Sequence, residues 1–351
     1  MAEYWYSFDD QMKKMFGGKV YRLSLTAGRT CPNRDGTLST GGCIFCSAGG
    51  SGDFAEDVDK DVYKQIEDAK KRVSSKIGKN TAFAGYMAYF QAYTSTYGDT
   101  GGLAAIFERA ASHPDIIALS VATRPDCLKD DMIDRLSAIN EYKPLFVELG
   151  LQTVHEDTAE YINRCYRLQV FEDAVRRLKD RGIRVVAHVI IGLPGEDGGR
   201  TKETVRYLSD LTVPDNKGKL CHIDGVKLQL LHVIKGTRLA ELLPDEYIET
   251  CSDGVWSIRL KDGVLLPQYS LEAYARLIRE LIEMLPEDMA VHRVTGDAPK
   301  NLLILPKWTA DKKRVLNAIT VEFRNNIAKK NQYRVNYEGG NDDQRIRKHG
   351  L

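Results

Sequence analysis

The feature that most constrains this 351-residue chain is a repeated alternation of short apolar runs with amphipathic stretches, over its first two thirds. Apolar runs of six to ten residues, each followed by a helical periodicity, predict parallel strands joined by helical crossovers. Six such runs are readable: Val20–Leu25, Ala82–Gln91, Ile116–Val121, Leu145–Gly150, Ile183–Ile191 and Asp224–Val233. The helices expected between them cover Asp57–Lys76, Gly102–Ser112, Asp130–Asn140, Glu156–Asn163 with Phe171–Arg181, and Arg200–Leu211. Six units fall two short of a closed eight-fold barrel. The expected fold is therefore an α/β, open six-stranded (β/α)6 partial TIM barrel with a small α+β C-terminal extension. After about Tyr247 the alternation stops; helices at Leu271–Leu285 and Asp311–Asn331 are expected to flank short strands at Met289–Val294 and Leu302–Leu305. This divides the chain into an N-terminal arm (1–18), a barrel (19–246) and an extension (247–351).

Barrels of parallel strands carry their chemistry where strands end and loops begin. Directly after the first expected strand come Cys31-Pro32-Asn33-Arg34-Asp35-Gly36 and Gly41-Gly42-Cys43-Ile44-Phe45-Cys46. Three thiolates in one glycine-rich loop suit three irons of a cubane [4Fe–4S] cluster, with the fourth iron left open for chemistry. Cys43-x-x-Cys46 alone would also fit a redox pair or half a zinc site. The zinc reading lacks a second ligand pair, and the redox reading leaves Cys31 unexplained. The seven cysteines are odd in number, which argues against a disulfide framework and for a reducing, cytoplasmic setting. No apolar run approaches the length of a membrane span, and the start Met1-Ala2-Glu3-Tyr4-Trp5 lacks the form of a signal peptide. Cys127, Cys165, Cys221 and Cys251 read as packing residues.

With this loop in view, the chain resembles the radical S-adenosylmethionine (SAM) superfamily. Eleven residues separate Cys31 from Cys43 in place of the commonest three, a wider gap known in the subgroup that resembles the catalytic subunit of elongator. Four further motifs carry the same resemblance: Tyr89–Tyr97, Thr123-Arg124-Pro125-Asp126, Glu148-Leu149-Gly150-Leu151-Gln152, and His188–Glu196 with its Gly192-Leu193-Pro194-Gly195 turn. Cys-Pro-Asn-Arg-Asp-Gly, Gly-Gly-Cys-x-Phe-Cys and Thr-Arg-Pro-Asp-Cys-Leu are similar to a compact bacterial family linked to tRNA wobble-uridine modification. The resemblance implies a [4Fe–4S] cluster on Cys31, Cys43 and Cys46, SAM bound at the open iron, and reductive cleavage of SAM to a 5′-deoxyadenosyl radical. The implied reaction turns a 5-carboxymethylaminomethyl group into 5-aminomethyl, with tRNA as partner and an electron donor such as flavodoxin or ferredoxin. The extension is too short for an acetyltransferase domain of the elongator type.

The resemblance also implies roles for single positions. Gln91, Glu148, Gln152, Gly192 and Leu193 fall where cofactor contacts are expected, and Arg164 or Arg167 would meet the SAM carboxylate. Arg124 and Asp126 are expected at the reaction cavity, paired with each other or with substrate. His188 reads as a satisfied core residue. From Lys307 to Leu351 the chain has 11 Lys+Arg against 5 Asp+Glu, whereas the first 306 residues carry 39 against 44. Arg293, Trp308, Lys312, Lys313 and Arg314 are therefore candidates to meet an RNA loop, where rings stack on bases and cations meet phosphates. A structural Trp and a solvated helix start would explain the last four residues equally. Two other readings stay open: a radical SAM enzyme acting on a small molecule or peptide, and a metal- or cluster-binding RNA-binding protein without turnover.

Overall fold

A computed structural model of the protein describes residues 4–50, 55, 61–78, 82–245 and 250–328. Seven strands form one curled parallel sheet, a partial TIM barrel. In chain order they are β1 (Lys19–Leu25), β2 (Phe83–Phe90), β3 (Ile116–Thr123), β4 (Leu145–Gln152), β5 (Arg184–Ile191), β6 (Gly225–Leu230) and β7 (Ala290–Arg293). Each pairs in parallel with its neighbour in that order. The helices are α1 (Phe8–Phe16), α2 (Val62–Ser74), α3 (Thr100–Ser112), α4 (Asp130–Asn140), α5 (Glu156–Tyr161), α6 (Leu168–Asp180), α7 (Gly198–Asp210) and α8 (Leu271–Glu283). A last helix, α9, covers residues 312–328.

The class is the one expected, but the strand count is seven rather than six. The seventh strand comes from the segment assigned to the extension. It is four residues long, and its backbone pairs with β6 at Ala290↔Gly225 and Val291↔Val226. The N-terminal arm braces it: Val291 N–H donates to the Tyr6 carbonyl at 2.8 Å. The expected α2 start near Asp57 and the tail Gly339–Asp343 lie outside the described residues, as does the side chain of Cys251.

Alternation along the strands divides two cores. On β4, Val147, Leu149 and Leu151 point outward and pack with Ile133, Leu136, Phe171 and Val175 of α4 and α6. Phe146 points inward. It forms the bottom layer of the barrel with Val20, Met87, Ala118 and Val186, and Met12 of α1 closes that end. A capping box, with Ser7 accepting from Asp10 N–H and Asp10 accepting from Ser7 N–H, starts α1 at the right place to act as this plug.

A three-stranded antiparallel sheet follows the sixth unit, with strands Thr250–Ser252, Val255–Arg259 and Leu265–Tyr269. It was not anticipated, although its signal is present: Asp253-Gly254 and Asp262-Gly263 sit at its two turns. Asp253 and Gly254 both take positive φ, 52° and 79°, as a two-residue hairpin turn with the right twist demands.

Candidate active site

The cysteine loop leaves the C-terminal end of β1 and is fixed by backbone bonds to two distant segments. Ile44 N–H donates to the Ile162 carbonyl at 3.2 Å, and Leu239 N–H donates to the Ile44 carbonyl at 2.8 Å. Asn163 reaches from the end of α5 to the Gly42 carbonyl at 2.9 Å. Arg34 gathers the loop onto itself by donating to the carbonyls of Cys46, at 2.9 Å, and Ser47. Two glycines are required here. A Cβ on Gly42 (φ 84°) would stand 2.9 Å from Arg34 Nε, and one on Gly50 (φ 58°) would overlap the Tyr93 ring.

Cys31, Cys43 and Cys46 are partly buried and form no disulfide. Asn33 is fully buried; its amide approaches Cys43 Sγ at 3.7 Å and donates to the Asn163 carbonyl. Burial pushes the Cys43 thiol up to about 12; Cys46 and Cys31 push the same way, while Arg124 pulls it down. The three sulfurs and Arg124 therefore share one electrostatic neighbourhood. The sulfurs do not all lie within 4.8 Å of one another. Thiolates on one tetrahedral zinc, at about 2.3 Å from the metal, would stand about 3.8 Å apart. Arg34 and Arg124 supply cations near the thiolates a [4Fe–4S] cluster needs.

The other candidate positions divide by what they touch. Gln91 lines the main cavity. Gln152 (φ 62°) folds back over Gly150 and accepts from the Tyr166 hydroxyl at 3.2 Å. Arg124 and Asp126 form a bidentate pair at 2.9 and 2.7 Å, with Arg124 lying over the Tyr166 ring. Gly192 (φ 83°) makes the turn after β5. Arg167 precedes α6 and lines a separate small cavity with Cys165 and Tyr166. Lys312 pairs with Asp297 at 2.8 Å. Lys313 and Arg314 are exposed on the first turn of α9.

Four expectations are corrected. Arg164 is 1% exposed and donates to the backbone carbonyls of Leu151, Thr153 and Tyr166, so it braces the end of β4 instead of facing a ligand carboxylate. Leu193 is not among the four: its side chain is buried with Ile162, Leu231 and Leu266, and the expectation concerns the Gly192–Gly195 turn, not that side chain. Trp308 packs on Tyr274 and donates its indole N–H to the Tyr269 carbonyl at 2.9 Å, which takes up its polar edge. Cys165, read as a packing residue, is exposed.

Glu148 is the fourth correction. It is 1% exposed, and its carboxylate accepts from Ser120 at 2.8 Å, from His188 Nε2 at 2.8 Å and from Lys227. Arg22 stands 3.9 Å away, and Lys227 also donates to the Tyr89 hydroxyl at 2.9 Å. This middle layer of the barrel supports the cavity from below. Burial would raise the Glu148 carboxyl, yet Lys227, the His188 hydrogen bond and Arg22 hold it well below the ordinary range. Burial and Lys227 lower His188 to about 4, so its imidazole is neutral at pH 7. Arg22 and Lys227 were missed because charged residues inside an apolar strand read as its solvent face.

Above this layer a cavity of about 1200 Å³ opens on the side of β1 and β7, reached by Phe45 and Ser47 of the cysteine loop. Among the described residues no helix is long and apolar enough to cross a membrane.

Comparison with known proteins agrees with the fold. The family model of the radical SAM superfamily matches residues 27–208, and that of the Radical_SAM C-terminal domain matches 223–325. Bacillus subtilis (strain 168) YtqA is 39% identical over 321 residues, 92% of this chain and 90% of that protein. The Danio rerio Elongator complex protein 3 is 29% identical over 193 residues, 55% of this chain and 30% of that protein. The solved structure of archaeal Methanocaldococcus infernus Elp3 shares the fold, with a TM-score of 0.56 at 17% identity over 81% of this chain and 58% of that one.

Proposed function

The chain belongs to the radical SAM superfamily, and from that premise we propose that it is a tRNA-modifying enzyme that converts 5-carboxymethylaminomethyl at a wobble uridine to 5-aminomethyl. Members of the superfamily use a [4Fe–4S] cluster and SAM, and need a reductant. The observation that carries the enzyme reading is the loop itself: three thiols in one glycine-rich loop after the first strand of an open parallel barrel.

In this reading Cys31, Cys43 and Cys46 hold the cluster, which supplies one-electron cleavage of SAM when bound. Asn33 fixes the loop beside Cys43, and Arg34 and Arg124 offset the thiolate charge. Gln91 and Gln152, at the ends of β2 and β4, stand where polar groups can hold SAM across the barrel mouth. Arg124 and Asp126 hold each other in one orientation beside the thiols. The 247–351 region serves as the substrate-binding part, since Asp297, Lys300 and Lys312 from it line the cavity. The tRNA part of the reading is supported by the similarity to Elongator complex protein 3 and by the cationic cavity rim.

Anaerobic reconstitution is expected to yield four irons per chain and 5′-deoxyadenosine on reduction with SAM. A well-reconstituted protein that binds zinc and releases none would overturn the enzyme reading. Nucleoside analysis of tRNA incubated with enzyme, SAM and reductant tests the substrate; unchanged wobble uridines would reject it alone.

A further inference from the structure

The curled sheet is open between β1 and β7, which share no ladder. Each edge strand carries an arginine into the cavity, Arg22 from β1 and Arg293 from β7. The register of β7 on β6 is irregular between Val291 and Arg293. Such an irregularity re-aims side chains. Here two successive residues reach the barrel: His292 meets Gln11 and Arg22, and Arg293 meets Gln229.

Each guanidinium shares its carboxylate with another cation. Arg22 lies 3.8 Å over the Phe8 ring and donates to His292 Nδ1 at 2.8 Å. Its nearest carboxylate, Glu148 at 3.9 Å, is engaged by Ser120, His188 and Lys227, and the buried Arg22 Nε has no hydrogen-bond partner. Arg293 is 3.3 Å from Asp297, which it shares with Lys312 at 2.8 Å. Arg22, Arg293 and Lys312 thus share Glu148 and Asp297 with Lys227, which burial lowers to about 7, so the cations outnumber the carboxylates they touch. A guanidinium fork is the side chain best matched to a planar oxyanion, and a buried cation without a full partner is costly.

We infer that Arg22 and Arg293 form one oxyanion subsite across the open seam of the barrel, and that this subsite takes a carboxylate of the substrate. That the carboxylate is the one on a carboxymethylaminomethyl group rests on the wobble-uridine reading; the subsite itself rests on the geometry. The residues that bind it belong to the two strands that do not pair, so the anion would tie the seam together.

The test is saturation-transfer NMR on cluster-reconstituted, unreduced protein saturated with SAM, so that the SAM end cannot capture the probe. N-methylglycine, which carries the same secondary amine and carboxylate, is expected to bind. N-methylethanolamine, which lacks the carboxylate, is not. Arg293→Gln, on a side chain 29% exposed, is expected to weaken N-methylglycine binding at least about tenfold with the melting temperature held. Arg22→Gln is expected to do the same if it folds; if it does not, Arg293→Gln decides. Binding unchanged in folded Arg293→Gln would overturn the subsite. Inorganic phosphate bound more tightly than N-methylglycine at the same arginines would overturn the carboxylate assignment in favour of a nucleic-acid phosphate. If N-methylglycine depends on Arg293 while wobble uridines stay unchanged, the tRNA reading fails and the subsite stands. If wobble uridines react with an unchanged KM in Arg293→Gln, the subsite fails and the reading stands.

Discussion

The cysteine loop and the middle layer of the barrel lie a few residues apart along β1, yet they are stabilised in opposite ways. The loop is held by its backbone: Ile44 on Ile162, Leu239 on Ile44, and Arg34 on the carbonyls of Cys46 and Ser47. Of its thiols, Cys43 adds sulfur contacts to Asn33 at 3.7 Å and to the Asn163 carbonyl at 3.6 Å. The middle layer is held by its side chains, with Glu148 accepting from Ser120, His188 and Lys227. A thiol removed from the loop takes away function and leaves the frame. One removed from the layer takes away the frame first.

Cys43→Ala is the sharpest way to test this contrast. Release of 5′-deoxyadenosine is expected to fall to background while the melting temperature of the cluster-free protein stays within a degree or two; retained release would contradict the ligand assignment. Glu148→Ala is expected to do the reverse. It leaves the buried Arg22 without its nearest carboxylate and the Ser120, His188 and Lys227 hydrogen bonds without their acceptor, with a loss of about 3–5 kcal/mol in denaturant unfolding. A loss under 1 kcal/mol would mean that the layer is not the frame.

Acid should find the same layer. His188 is lowered to about 4, so the unfolded chain binds its proton more readily between roughly pH 6.5 and 4. Glu148 is depressed, so its contribution is present above the unfolded carboxyl range and is lost as pH falls through its lower folded value. Both signs make stability fall on acidification, first through His188 and then through Glu148. His188 contributes at most about 3 kcal/mol to that fall. His188→Gln should flatten the curve between pH 6.5 and 4.5, and an unchanged slope would contradict the assignment. The smallest effect is expected from Trp308→Phe, about 1 kcal/mol for the lost hydrogen bond to the Tyr269 carbonyl. Gel-shift affinity for tRNA should not move; a selective loss of affinity would return Trp308 to the RNA-facing group.

Much of the barrel was legible because its strands are buried on both faces and so read as continuous apolar runs. Ile183–Ile191 and Leu145–Gly150 needed no partner to be recognised. The thiol loop was legible because cluster ligands are few in kind and sit close together in the chain. β7 was misplaced because four residues, Ala290–Arg293, have no pattern that says which sheet they join. The Asp253-Gly254 and Asp262-Gly263 turns were readable and overlooked. Arg164 and Arg167 follow the same strand at similar distance, and no spacing rule says that Arg164 turns inward to three carbonyls while Arg167 stays at the rim.

By itself the sequence determined the parallel α/β class, the order of units and the loop carrying Cys31, Cys43 and Cys46. All of these depend on residues near one another along the chain. Only the tertiary structure decided that Lys227, His188 and Ser120 converge on Glu148, that a seventh strand borders the opening, and that Arg22 and Arg293 face one cavity from its two edges. Those pairings join residues up to about 270 positions apart. Which of them meet depends on how far the sheet curls before it stops, a quantity summed over every strand and stored in none.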